Sequence, residues 1–105
     1  MNAKKELLED LKSIGKEIKD IVAINISYGY YDKKKILMSN SLTEESLKLL
    51  DFEYDEEDVC QELFGTILFS DNTWMERGEY DGSEWWEFHK PTTIEDVLGT
   101  PPKGN

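Results

Sequence analysis

The stretch GTILFSDNTWMERGEYDGSEWWEFH, residues 65–89, decides the fold. Three runs rich in β-branched and aromatic residues, Gly65–Ser70, Thr73–Glu79 and Ser83–His89, are separated by Asp71-Asn72 and by Tyr80-Asp81-Gly82, residue types that favour turns. This is the pattern of a three-strand antiparallel meander. The register of the second hairpin has two solutions. A two-residue Asp81-Gly82 loop sets Glu79 opposite Glu84 and Glu76 opposite Glu87, two like-charge pairs that destabilise a ladder. A three-residue loop, with Gly82 in the left-handed position of a bulge, sets Arg77 opposite Trp85 and Trp74 opposite Phe88. The charge argument selects the three-residue loop. It predicts Trp74, Trp86 and Phe88 on the core face, and Met75, Arg77, Trp85 and Glu87 on the other.

Toward the N-terminus, Leu7, Leu11, Ile14, Ile18 and Ile21 recur at spacings of four and three, which predicts the apolar face of a helix that starts near Lys4 and runs through Gly15. Two heptads are too few for a coiled coil, so this helix is expected to dock on the sheet of its own domain. From Ile21 to Tyr31 the period becomes two, placing Val22, Ile24, Ile26, Tyr28 and Tyr30 on one face of a strand. Tyr31 to Lys34 reads as a turn into a second strand over Lys35 to Met38. Thr43 suits the N-cap of a short helix ending near Leu50, with Glu44 and Glu45 against its positive end and Leu42 placed to staple onto Leu47. In Asp51 to Asp58, Phe52 and Tyr54 alternate with acids for one short strand before the run becomes loop. A turn of helix is expected at Thr93 to Leu98. The prediction is a single small α+β domain over residues 1–100: an antiparallel sheet of about five strands, an N-terminal amphipathic helix and a short second helix. Residues 101–105 read as a disordered C-terminal tail.

At 105 residues the chain has room for one hydrophobic core, which excludes a multidomain enzyme. Its 38% apolar residues and twelve aromatics place it above disordered chains despite 33% charged residues. The run Ile21 to Tyr31 is too short to span a bilayer and the first residues do not open a signal peptide, so a soluble, intracellular protein is expected. The net charge of −11 is unevenly spread. Residues 1–43 carry net +2, whereas residues 44–87 set fifteen acids against Lys48 and Arg77, net −13. A single basic cluster, Lys33-Lys34-Lys35, lies beside this acidic field. Direct binding of nucleic acid or of an anionic membrane is therefore not expected, while attraction to a basic protein surface is. The competing reading is that the acids only solvate the surface.

Sites of conventional chemistry are sparse. Cys60 is the sole cysteine and His89 the sole histidine, so neither an internal disulfide nor a Cys/His zinc site is expected. Asp51 to Glu62 spaces oxygens like a calcium-binding EF-hand loop, but Glu56 stands where the sharp turn needs glycine. Cys60 and His89 lack a third, orienting group. Glu76, Glu79, Glu84 and Glu87 place carboxylates near one hairpin, a geometry open to acid/base chemistry, yet no substrate pocket or phosphate loop is legible. No catalytic residue, metal or cofactor is assigned. Trp85 and Trp86, adjacent on a strand, must face opposite ways. If Trp86 is core, Trp85 beside Arg77 and Tyr80, rimmed by acids, has the composition of a protein-binding anchor, unless the N-terminal helix covers it.

Glu62-Leu63-Phe64-Gly65-Thr66-Ile67, followed by Trp74-Met75-Glu76-Arg77-Gly78-Glu79-Tyr80-Asp81-Gly82-Ser83-Glu84-Trp85-Trp86, resembles the C-terminal signature of small phage and prophage accessory proteins. The likeness covers under a third of the chain. Such relatives are expected to carry a Gly-rich or Tyr-Gly stretch after Tyr54-Asp55, where this chain has Glu56-Glu57-Asp58. The resemblance implies an inhibitor of a host function or of host defence, acting in the host cytoplasm. With the charge map, the expectation is a non-enzymatic acidic protein that inhibits a nucleic-acid-handling or anti-phage complex, of CRISPR type for example, by nucleic-acid mimicry. The partner would be a basic host protein or nucleoprotein complex, bound through Asp51, Glu53, Asp55, Glu56, Glu57, Asp58, Arg77, Tyr80 and Trp85. The alternative is an assembly factor that forms a homodimer through an aromatic sheet face. The protein itself is expected as a monomer or homodimer.

Overall fold

The N-terminal periodicity produces a shorter helix than its apolar spacing suggests. In the computed structural model, which describes residues 1–29, 31–55 and 60–99, α1 covers Ala3–Ser13. Asn2 caps it by accepting from the Lys5 amide at 3.0 Å. Gly15 ends it: at φ +73° it occupies the left-handed region, and the Lys16 amide turns back to the Leu11 carbonyl at 2.9 Å. Ile18 then lies in a 3₁₀ turn, Ile18–Asp20, and Ile21 opens the first strand. Leu7 and Leu11 are fully buried, and Ile14 and Ile18 pack at the core margin, so the predicted apolar face survives the break.

Five strands follow: β1 (Ile21–Tyr28), β2 (Lys34–Ser39), β3 (Leu63–Phe69), β4 (Trp74–Tyr80) and β5 (Ser83–His89). They form one antiparallel sheet in the order β2-β1-β3-β4-β5. Between β2 and β3, α2 (Glu44–Leu47) begins at Thr43, whose hydroxyl accepts from the Ser46 amide at 3.0 Å, and a 3₁₀ turn at Lys48–Leu50 closes it. The short helix α3 (Ile94–Leu98) follows β5. This is the predicted α+β domain. Tyr30, residues 56–59 and residues 100–105, including the predicted tail, lie outside the described residues.

Three local expectations change. The register of β1 against β3 shifts between Ile21 and Ala23, so Ile21 rather than Val22 takes the core position and Val22 is exposed. Phe52 and Tyr54 do not join the sheet. Their extended segment pairs with the N-terminus, through Ala3 N to Phe52 O and Tyr54 N to Met1 O, both 2.9 Å. The β4–β5 turn is the two-residue loop, with Gly78 opposite Trp85 and Arg77 opposite Trp86. Asp81 at φ +52° and Gly82 at φ +89° form the type I′ turn, whose twist matches that of the strands it joins. The core face therefore carries Met75, Arg77, Glu84, Trp86 and Phe88, with Trp74 on the other side.

One side of the sheet is covered. Ile24, Ile26, Leu37, Leu63, Ile67, Phe69, Met75 and Trp86 meet Leu7 and Leu11 of α1 and Leu42, Leu47 and Leu50 of the α2 region in one core. Among the described residues no element covers the other side, where Met38, Leu68 and Trp85 are exposed. Ile94, Val97 and Leu98 of α3 stay at least 73% exposed, so α3 covers neither face.

Candidate functional site

The β4–β5 hairpin places a carboxylate pair on each face of the sheet. Because side chains alternate, Glu79 and Glu84 lie on the covered face and Glu76 and Glu87 on the open one. A third group stands beside each pair.

On the covered face that group is Arg77, whose side chain is only 1% exposed. Its Nη2 donates to Glu84 Oε1 at 2.8 Å and to the Tyr54 hydroxyl at 2.9 Å, and its Nη1 to Glu6 Oε1 of α1 at 3.0 Å. Tyr54 also donates to Glu6 at 2.5 Å. The guanidinium lies 5.1 Å from the Trp86 ring and 5.5 Å from the Tyr54 ring. Glu84 has a second task. The ladder between β3 and β4 runs only from Thr66 to Leu68, and beyond it the Glu84 carboxylate accepts the Glu62 and Leu63 amides at 2.8 and 3.0 Å. A side chain thus replaces the missing strand as acceptor where the sheet splays. Glu79 turns away and accepts from the Gly82 amide at 3.0 Å. Burial raises the Glu6 pKa despite its Tyr54 and Arg77 contacts. Burial, then the Glu6 hydrogen bond, pushes the Tyr54 phenol well above its ordinary range. Burial opposes the charge on Arg77, but Glu6, Glu84 and Tyr54 outweigh it and raise its pKa.

On the open face the third group is His89. Its Nε2 lies 3.1 Å from Glu76 Oε1 and 3.5 Å from Glu87 Oε2. The Trp74 ring, cross-strand from His89, stacks on the imidazole at 5.4 Å between centroids. Trp85 Nε1 donates to Glu87 Oε1 at 3.1 Å. This contact passes over Gly78, where an added Cβ would stand 2.7 Å from the Glu87 carboxylate and 2.8 Å from Trp85 Nε1. Further along the same face, Ala23, Asn25, Met38, Thr66 and Leu68 line a shallow depression.

The residues expected to bind a partner are dispersed. Trp85 is 37% exposed on the open face and Tyr80 is 77% exposed at the end of β4. Arg77, expected beside Trp85, lies on the opposite face and is sealed from solvent, because the two-residue turn puts odd-numbered β4 residues with even-numbered β5 residues. Its role is to hold α1, Tyr54 and Glu84 together. Asp51, Glu53 and Asp55 are exposed; Asp51 accepts from the Asn2 side-chain amide at 2.9 Å and the Asp55 amide donates to Glu62 at 3.3 Å. Glu56, Glu57 and Asp58 lie outside the described residues. The cluster of Glu76, Glu87 and His89 was not foreseen, although the two-residue register together with strand alternation contains it.

Comparison of the chain with protein-family models, with curated proteins and with solved structures finds no match. Among the described residues, no helix is long and apolar enough to cross a membrane.

Proposed function

We propose that the protein is a non-enzymatic, acidic binding protein of phage origin that occupies a basic, nucleic-acid-binding surface of a host defence or nucleic-acid-handling complex in the host cytoplasm. The observation that carries this reading is Trp85. Its indole keeps apolar area in water on the open sheet face and donates its N–H to the Glu87 carboxylate, with Glu76 directly across the strand from Glu87. An aromatic anchor rimmed by acids suits a partner that presents Arg and Lys around an apolar hollow. The net −13 of residues 44–87 extends the same charge beyond the hairpin and supports long-range steering.

The test is capture from lysates of prospective bacterial hosts, followed by elution with salt and with competing nucleic acid. A stoichiometric basic partner released by both and lost on Trp85→Ala supports mimicry. A partner indifferent to both sinks it. A second reading is favoured by Met38, 69% exposed on the same face as Leu68 and Trp85: a homodimer joined through the open sheet. Sedimentation at rising salt separates the two, because two copies of charge −11 associate better when screened, whereas binding to a basic partner weakens.

A further inference from the structure

On the open face, an imidazole nitrogen and two carboxylate oxygens converge from adjacent strands. The ligand atoms of Glu76, Glu87 and His89 all lie within 4.8 Å of one another. Four-coordinate zinc with bonds of 2.0–2.1 Å has ligand-to-ligand edges of about 3.3 Å, and the His89 Nε2 distances of 3.1 and 3.5 Å bracket that edge. We infer that Glu76, Glu87 and His89 form a binding site for one divalent transition-metal ion of zinc type.

Three observations carry this beyond a group of acids. The first is His89 Nε2, which is sealed from solvent and, although close to both carboxylates, lacks a hydrogen bond to either. It stands 3.1 and 3.5 Å from two acceptors without the alignment that would satisfy it. Secondly, one ring packs against a ligand and another hydrogen-bonds a ligand carboxylate, the latter as outer-shell donors do. Trp74 stacks on the imidazole, and the Trp85 indole N–H holds Glu87 Oε1, which leaves Oε2 facing His89. The third observation is Gly78, whose missing side chain leaves the room in which the Glu87 carboxylate and the Trp85 nitrogen meet. A dication also cancels the repulsion between Glu76 and Glu87, which are direct cross-strand partners.

The donor set selects the ion. An imidazole with two carboxylates suits zinc, whereas calcium and magnesium favour all-oxygen shells. With the side chains of Glu76, Glu87 and His89 48%, 41% and 35% exposed, the fourth position opens to solvent, where water or a donor from a partner completes the shell. The site stands whether or not the proposed partner exists.

The experiment is titration of the metal-free full chain with zinc, followed by calorimetry and by NMR of the His89 ring and the Trp85 indole N–H. One saturable equivalent is expected, with the largest shifts at His89 and Trp85. His89→Ala and Glu87→Gln should each weaken binding at least about tenfold, and Gly78→Ala by a smaller factor, as for loss of an outer-shell contact. Circular dichroism without metal should match the parent, because these side chains lie outside the core. No saturable binding would overturn the inference. So would an unchanged affinity in His89→Ala, or shifts centred on the acids between Asp51 and Glu62, the mark of diffuse cation binding.

Discussion

The two faces of the β4–β5 hairpin meet one problem in two ways. Each sets a glutamate opposite a glutamate, which costs about 0.2–1 kcal/mol when nothing intervenes. On the covered face the remedy is a buried guanidinium, fixed by Glu6, Tyr54 and Glu84 and stacked near Trp86. On the open face a partly exposed imidazole, stacked on Trp74, stands 3.1 and 3.5 Å from the two carboxylates without a hydrogen bond to either. A penalty of this size does not by itself fix a register. The twist preference of the Asp81-Gly82 turn and the burial of Arg77 and Trp86 outweigh it. On the covered face Glu84 has become structure, whereas the open pair remains available for binding.

Removing the cation from the covered face should have the largest effect. Arg77→Ala leaves Glu84 and Glu6 buried without a counter-charge, and the expected loss is about 3–5 kcal/mol in urea unfolding. Replacing Arg77 by Met together with Glu6→Gln and Glu84→Gln should recover much of it, since the charges then leave as a set. A loss below about 1 kcal/mol for Arg77→Ala would place that side chain in water and dissolve the contrast between the faces.

The adjacent tryptophans give the next contrast. Trp86→Ala opens a cavity in the core, with an expected cost of about 3–5 kcal/mol, whereas Trp85→Ala should cost much less stability and at least about 2 kcal/mol of partner affinity. In single-tryptophan variants, acrylamide should quench Trp85 strongly in the free protein and Trp86 weakly. Equal thermal losses for the two alanine variants would mean that the open face is covered.

Legibility in the sequence followed the range of the interaction. Local signals were readable: the Thr43 cap, the meander and the opposite facing of Trp85 and Trp86 each depend on neighbours a few residues apart. The core face of the N-terminal helix was readable too, but its end was not, because the apolar spacing continues through Gly15 while the backbone there turns left-handed. Val22 misled because a bulge is invisible in a period-two pattern. The candidate site hinges on the β4–β5 turn. Pairwise charge across the hairpin argued for the wrong turn, and that displaced Arg77, Trp74 and Met75 to the wrong faces together. Nothing local indicates that Glu6, some seventy residues earlier, supplies half the answer for Arg77.

The smallest effect expected is in pH dependence, where a buried and an exposed carboxylate should respond with opposite sign. Glu6, beneath the covered face, has its pKa raised above an ordinary value near 4.5, chiefly by burial. The folded state therefore holds its proton more tightly than the unfolded chain, and that contribution is full below the ordinary value and lost as pH rises through the folded one. Asp71, in the β3–β4 turn, is the converse. Hydrogen bonds from Lys16 and then from the Thr73 hydroxyl and amide lower its pKa from an ordinary 3.8. Its contribution is present above that value and lost as pH falls through the folded pKa. Asp71→Asn should thus be less stable than the parent at neutral pH, with the gap closing as pH drops below about 3.8. Glu6→Gln should compare with the parent more favourably at neutral pH than at acid pH, the gap changing as pH rises from about 4.5. Thermal unfolding of the three proteins from acid to neutral pH measures both slopes. Parallel slopes would show that Glu6 is as well solvated as Asp71, so that α1 does not seal the carboxylate against Arg77.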